Sequence, residues 1–161
     1  MKKSPKVQPA GSPAKQVAGF IARFDPAIAK LARASRAVIR ERFPTAIELV
    51  YDNYNALAIG YGPTEKTSDA LFSLAVYPRG VSLYFMYGRS LPDPHKLLQG
   101  NGNQGAFVRL DDLSVLDRPE VKGLLKAAVQ QATPTLPASG KGYTVVKSIS
   151  AKQRPRRPNQ R

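Results

Sequence analysis

The residues with the most recognisable chemical spacing are GNGNQG at 100–105, which fit the pattern G-x-G-x-x-G. In dinucleotide-binding proteins this turn follows a buried strand and opens a helix, whose N-terminal N–H groups bind the pyrophosphate. Here the turn follows the polar segment 93–98 and precedes residues 106–110, whose alternation is typical of a strand. Because both flanks differ from that arrangement, the sequence favours a glycine-rich bend that leads into a strand.

A binding role for this bend is a second interpretation, because glycines let backbone N–H groups converge on an anion. Basic side chains flank the bend, and most of the tyrosines fall in the strands predicted upstream of it. We therefore predict a site for a small ligand or a protein partner between the sheet and the bend, lined by Tyr51, Tyr84, Lys96, Gly102 and Arg109. The alternative is that the tyrosines pack at one end and hydrogen-bond to water at the other.

Residues for bond-making chemistry are scarce in this chain. It contains no cysteine and one histidine, His95, which excludes thiolate nucleophiles and metal sites built from cysteine or several histidines. Asp93 precedes His95 in a proline-flanked turn, where it is better placed to cap the turn than to orient the ring. The adjacent Asp111 and Asp112 do not have the spacing of a calcium loop. We predict no catalytic residue, no metal site, no cofactor and no enzymatic activity.

Positive charge is concentrated at the two ends of the chain. The formal net charge is +14, and nine of these excess charges fall in residues 1–15 and 152–161, which contain no acidic residue. Both segments are poor in aliphatic residues, so we predict disordered basic arms. The C-terminal arm could associate non-specifically with nucleic acid, or it could aid solubility or bind acidic partners. The residues that would contact nucleic acid are Lys152, Arg154, Arg156, Arg157 and Arg161.

Apolar periodicity predicts the elements between the arms. Helical spacing indicates a short helix at 16–23 and a longer one from Asp25 to Phe43. Between residues 46 and 87 the period changes to two, which predicts four strands with short links and therefore antiparallel pairing. Residues 106–110 add a brief strand, and a helix follows Pro119. We predict an α+β fold with an antiparallel sheet of about five strands, flanked by N-terminal helices and one C-terminal helix.

These elements imply one domain with extensions. We assign residues 1–15 to a disordered basic arm, 16–131 to the α+β domain, 132–142 to a linker and 152–161 to a disordered basic tail. Residues 143–151 could add an edge strand. No apolar segment follows the basic start and no stretch is long and apolar enough to span a membrane, so we expect a cytoplasmic protein.

Two motifs carry a resemblance to a known family. VSLYF at 81–85 and LLQGNGNQGAFVRL at 97–110, followed by a short acidic turn and a closing helix, resemble the YdhG-like family, domain of unknown function 1801. The resemblance covers roughly residues 16–131, and the tail KSISAKQRPRRP at 147–158 looks like one subgroup. Within ELVYDNYNALAIGY at 48–61 the chain departs from the family, because residues 55–58 replace a Gly-Met-Pro-like stretch.

The resemblance implies an α+β domain with a curved antiparallel sheet flanked by helices. Most such proteins have no assigned role, and some are likened to frataxin and linked with intracellular iron. Oxygen ligation of iron needs clustered carboxylates, whereas the acids here are scattered and the long helix carries Lys30, Arg33, Arg36 and Arg40. We therefore predict a non-enzymatic binding module for a small anionic ligand or a protein partner. The alternatives are non-specific nucleic-acid association through the basic arms and frataxin-like iron handling.

Overall fold

Two helices open the structure, which is a computed structural model and describes residues 11–158. Helix α1 runs over Pro13–Ala22 and α2 over Pro26–Arg42. The Ser12 side chain accepts a hydrogen bond from the N–H of Lys15, so α1 begins inside the segment that we assigned to the N-terminal arm. That assignment is wrong for residues 13–15. The lysines at positions 2, 3 and 6 lie outside the described residues.

The remaining elements form one sheet and a third helix, with short 3-10 turns at Thr67–Asp69, Gly88–Ser90 and Leu113–Asp117. The sheet order is β5-β4-β3-β2-β1-β6. The bounds are β1 Ile47–Asp52, β2 Leu57–Gly62, β3 Phe72–Tyr77, β4 Gly80–Phe85, β5 Ala106–Leu110, α3 Pro119–Gln130 and β6 Thr144–Ile149.

The predicted α+β class is confirmed, but the sheet has six strands and is mixed. Strands β1 to β5 pair antiparallel with their neighbours in chain order, as short links require. After β5 the chain crosses the sheet through α3 and residues 131–143, and β6 then pairs parallel with β1 at the opposite edge. A prediction from strand spacing misses this pairing because it depends on where the crossover returns the chain.

The helices cover one face of the sheet. Val50, Ile59, Leu74, Leu83 and Val108 alternate onto this face and are buried in the core. They pack with the apolar stripes of the helices, which supply Val17, Ile21, Ala32, Ile39, Val121, Leu124 and Leu125. Helix α2 begins where the sequence predicts, with Asp25 as its N-cap residue, although the Asp25 side chain makes no capping hydrogen bond.

The opposite face, which we call the open face, carries no α-helix within residues 11–158, although the 3-10 turn at Thr67–Asp69 contacts it through Tyr51. In one cross-strand row it presents Tyr51, Ala58, Ala75, Ser82 and Arg109, one from each of β1 to β5. All five are at least partly exposed. In this row the side chains at the centre are small, and the larger ones stand at its two ends.

The C-terminal residues 150–158 also have defined positions, so the predicted disordered tail is wrong over 152–158. The N–H of Ser150 donates to the carbonyl of Asp52 at 2.8 Å, and the N–H of Arg154 donates to the carbonyl of Tyr54, also at 2.8 Å. The segment is therefore hydrogen-bonded to the end of β1 and the β1–β2 turn. Arg161 lies outside the described residues. No helix in the described part of the chain is long and apolar enough to cross a membrane.

Gly142 allows the backbone just before β6 to pass close to the backbone of residues 44–46. Its N–H donates to the carbonyl of Pro44 at 2.8 Å, and a Cβ there would collide with the backbone carbonyl of Ala46. We expect Gly142→Ala to lower the free energy of unfolding by about 1–3 kcal/mol, because backbone must move to make room. Gly123→Ala in α3, where a Cβ meets no atom within 4 Å, is the matched control and should be neutral or stabilising. Equal urea midpoints for the two variants would contradict this role.

Candidate anion-binding site

The five predicted ligand-binding residues do not form one site. Tyr51 and Arg109 share the open face but are four strands apart, which is about 19 Å at the usual strand spacing. The Tyr51 hydroxyl is instead 2.5 Å from the hydroxyl of Thr67. Lys96 is exposed, in a turn with φ of 53°. Among residues 11–158 no side-chain hydrogen bond or salt bridge joins any two of the five.

The glycine segment covers the sheet edge rather than offering its N–H groups to an anion. Gln99 and Phe107 exchange backbone hydrogen bonds of 2.8 and 3.0 Å, so the segment shields the edge of β5. Arg89 donates to the carbonyl oxygens of Gly100 and Gly102. A Cβ at Gly105 would overlap the Tyr84 hydroxyl, so only glycine lets the backbone pass this close. The bend that leads into a strand is thus the interpretation that this geometry matches.

A basic groove lies at the end of the sheet where three parts of the chain meet. These parts are the β1–β2 turn, the β3–β4 turn and the C-terminal segment 154–158. The cavity is about 580 Å³, and its lining consists of three arginines, three prolines, Tyr77 and Asn55. We call it the arginine groove after Arg79, Arg154 and Arg157.

Buried Arg156 holds the C-terminal wall of the groove in place. It is 1% exposed, and its Nη2 donates to Asp52 Oδ1 at 2.8 Å and to the Asn53 carbonyl at 2.6 Å. Its guanidinium also lies 5.6 Å from the centre of the Phe24 ring. The prediction that Arg156 contacts nucleic acid is wrong, because its guanidinium is buried and paired with Asp52 and presents no charge to a ligand. Its burial turns Arg154 and Arg157 to the surface.

The groove arginines are poorly neutralised. Neither Arg79 nor Arg154 forms a salt bridge with any described residue. Arg157 has one carboxylate nearby, since its Nε is 3.8 Å from Asp25 Oδ1 with both side chains over 40% exposed. An ion pair at this distance on the surface contributes little to stability and leaves most of the Arg157 charge available. Lys152, also predicted to contact nucleic acid, is exposed but does not line the groove.

A second charged cluster has a structural role. Glu48 is 2% exposed in β1 and accepts hydrogen bonds of 2.7–2.9 Å from Arg36, Tyr61 and Thr144. Burial raises the pKa of the Glu48 carboxyl, but the hydrogen bond and charge of Arg36 and the two hydroxyl donors outweigh burial, and the pKa lies below its usual value. Burial and the Glu48 charge raise the pKa of Tyr61. Both oxygens of the Glu48 carboxylate accept hydrogen bonds. Because the donors belong to α2, β2 and β6, the cluster links these elements to β1.

The turn that contains His95 and Asp93 lies at the surface, and its hydrogen bonds show what Asp93 does. His95 is exposed, and both carboxylate oxygens of Asp93 accept backbone N–H groups, from Leu97 and Leu98 at 2.9 Å. This is the capping role that the spacing predicts. Over residues 11–158 no group of three or more His, Asp or Glu side chains is arranged to hold a metal ion.

Sequence reasoning singled out Arg154 and Arg157 but missed the other groove residues, among them Tyr77 and Arg79. Both belong to the segment Tyr77-Pro78-Arg79-Gly80, which is recognisable as a turn. Nothing in its local pattern says that it lies beside residue 154, because the two are brought together only when the tail docks on the β1–β2 turn.

The fold and the groove define an α+β protein with a basic surface cavity at one end of a mixed sheet. Comparisons of the chain with protein-family models, with curated proteins and with solved structures give no match.

Proposed function

We propose that this protein is a non-enzymatic binding module that takes an anionic ligand in the arginine groove. The observation that carries this proposal is that three arginines from two distant parts of the sequence line one cavity without a carboxylate in its described lining. Like charges brought together repel one another, so such a cluster favours an anion between its members. Guanidinium groups bind phosphate and carboxylate oxygens with paired, charge-assisted hydrogen bonds.

The size of the groove supports a ligand larger than a single ion. Its volume of about 580 Å³ falls in the range of small-molecule sites. A phosphate- or carboxylate-bearing molecule would contact Arg79 on one wall and Arg154 and Arg157 on the other. A protein partner is the other occupant in this proposal, and it would enter with acidic side chains.

The proposed family remains the YdhG-like one. Its two motifs fall on one continuous unit, since residues 81–85 lie in β4 and 97–110 comprise the glycine segment and β5. The arginine groove lies outside this unit and contacts it through Arg79, whose carbonyl accepts a hydrogen bond of 3.1 Å from Arg109 in β5. Frataxin-like iron handling is the weakest alternative, because the described acids form no ligand group.

Inorganic pyrophosphate titrated by calorimetry is the direct test. We expect Arg79→Ala and Arg154→Ala each to weaken its binding about tenfold or more, because each removes a hydrogen bond to a charged group, worth about 1.5–3 kcal/mol. Arg33→Ala is the matched control, since Arg33 is exposed on α2, away from the groove, and its loss changes the net charge equally. The proposal fails if the unchanged protein does not bind pyrophosphate, or if Arg33→Ala weakens binding as much as Arg79→Ala.

A further inference from the structure

Two exposed tyrosines stand at the arginine groove. Tyr77 lines it and is 45% exposed. Tyr54 is 47% exposed and adjoins the lining residue Asn55, and the guanidinium carbon of Arg154 lies 5.5 Å from the centre of its ring. Flat aromatic rings and poorly neutralised cations therefore lie together on one surface.

The hydroxyl groups separate these two tyrosines from most of the others. Within the described chain the hydroxyls of Tyr51, Tyr61, Tyr87 and Tyr143 are hydrogen-bonded to Thr67, Glu48, the Ser68 carbonyl and Glu65. Tyr54 and Tyr77 have no such partner among residues 11–158. Neither ring is tied to the fold by a hydrogen bond of its hydroxyl, and both side chains are nearly half exposed at a basic site, although the Arg154 guanidinium already lies over one face of Tyr54.

The groove continues onto the open face. Tyr77 follows Ala75 in β3 on that face, and Arg109 at the far end of the row donates to the carbonyl of Arg79. The small side chains of Ala75 and Ser82 leave room beside the Tyr77 ring. A polymer in the groove could extend over this surface and meet a fourth arginine.

We propose that the ligand of the arginine groove is single-stranded nucleic acid, an inference that rests on the proposed anion-binding function. Phosphates would lie on Arg79, Arg154 and Arg157, and two bases would stack on Tyr54 and Tyr77. Base stacking on aromatic side chains beside a cationic track is how proteins bind single strands without reading sequence. A duplex fits less well, because its bases are already paired and stacked and offer the two rings no free face.

Fluorescence anisotropy with labelled 12-mers tests this inference on the full chain. The probes are oligo-dT, oligo-rU and an abasic strand of equal charge, with a duplex as a fourth arm. We expect the oligo-dT or oligo-rU strand to bind at least about tenfold more tightly than the abasic strand, since stacking adds to the phosphate contacts.

Variants separate stacking from charge. Tyr77→Ala and Tyr54→Ala should each weaken oligo-dT binding by about 5- to 150-fold and leave abasic binding unchanged. Arg79→Ala should weaken both and reduce the log–log salt slope by about 0.7. Tyr143→Ala is the matched control, because Tyr143 is 49% exposed but lies at the opposite end of β6. Both tyrosines of the groove are exposed, so thermal unfolding should stay close to that of the unchanged protein.

The outcomes distinguish this inference from the proposal beneath it. If the duplex binds as tightly as oligo-dT, recognition of single strands is wrong, and if the abasic strand does, base stacking is wrong. In both cases anion binding at the groove stands. If Tyr143→Ala weakens oligo-dT binding as much as Tyr77→Ala, stacking at the groove is also wrong. If neither the strands nor pyrophosphate bind, the proposed function itself fails.

Discussion

Arg156→Met will lower the free energy of unfolding by about 3 kcal/mol and will also weaken anion binding, although Arg156 touches no ligand. The pair with Asp52 is buried on both sides, with side chains 1% and 2% exposed. Removing one member of a buried ion pair costs about 3–5 kcal/mol, because the other is left as an unpaired charge. We expect the lower end, since the exposed Arg23 remains 3.5 Å from the Asp52 carboxylate and detachment of residues 150–158 would return Asp52 to water.

The loss of binding follows from the position of Arg156 behind the groove. Its Nη1 and Nη2 donate to the carbonyls of Tyr54 and Asn53, which keeps Arg154 and Arg157 opposite Arg79. When the segment detaches, Arg79 keeps its position but Arg154 and Arg157 become mobile, so the three charges no longer face one ligand. Limited proteolysis should then cleave near residue 154 in the variant before it cleaves the unchanged protein.

Two further variants test whether the buried ion pair anchors the segment. The double variant Asp52→Asn with Arg156→Met should recover part of the lost stability in urea unfolding, because no unpaired charge remains. Arg23 offers a contrast, since it lies 3.5 Å from the same carboxylate with its side chain 49% exposed, so Arg23→Ala should cost less than about 1 kcal/mol. If Arg156→Met costs no more than Arg23→Ala, the segment is not anchored as described.

Glu48→Gln will lower the free energy of unfolding by a similar amount, about 3–5 kcal/mol at neutral pH. The change keeps the shape of the side chain but removes the charge that neutralises Arg36, whose side chain is 15% exposed. It also replaces one carboxylate oxygen, the acceptor for Tyr61 (Oε2) or for Thr144 (Oε1), with an amide N–H₂ that cannot accept a hydrogen bond. The loss should appear in urea unfolding, with Glu41→Gln as a surface control that shifts stability by less than about 0.5 kcal/mol.

The pH dependence of this loss has a defined sign. The pKa of Glu48 is lowered in the folded state, so its ionised form contributes stability above its unfolded pKa of about 4.3. That contribution disappears as the pH falls through the lower folded value. The stability difference between the unchanged protein and Glu48→Gln should therefore be constant from about pH 6 to 8 and shrink below about pH 4. A difference that grows with acidification would contradict a lowered pKa.

Much of the fold could be predicted because its strands alternate cleanly. In β4 the buried Val81, Leu83 and Phe85 alternate with partly exposed Ser82 and Tyr84, and this pattern alone predicts a strand with one covered face. The glycine segment could also be understood locally, since its flanks differ from those of a nucleotide-binding turn. Residues 143–151, where an edge strand was considered, contain β6, but its parallel pairing with β1 could not be read from neighbouring residues.

The candidate site was less accessible to sequence reasoning. The sequence groups Tyr51, Tyr84 and Arg109 because tyrosines of the predicted strands and basic residues flank the glycine bend, yet a strand assignment does not say how many strands separate two residues of one face. The sequence treats Arg156 like the other basic residues of the tail, because nothing in the surrounding residues distinguishes it from Arg154 or Arg157. Its burial depends on Asp52, 104 residues earlier, and such a pairing leaves no local periodic signal.

Composition and periodicity by themselves determined the scarcity of catalytic groups, the excess of positive charge, the helices and the alternation of the strands, because each depends on residue types or on neighbours within a few positions. The tertiary structure alone decided which charges are available. A tail that is hydrophilic by composition docks because one of its arginines finds a buried carboxylate, and this contact places Arg154 and Arg157 beside Arg79. Long-range pairing of charges, rather than their number, makes the groove.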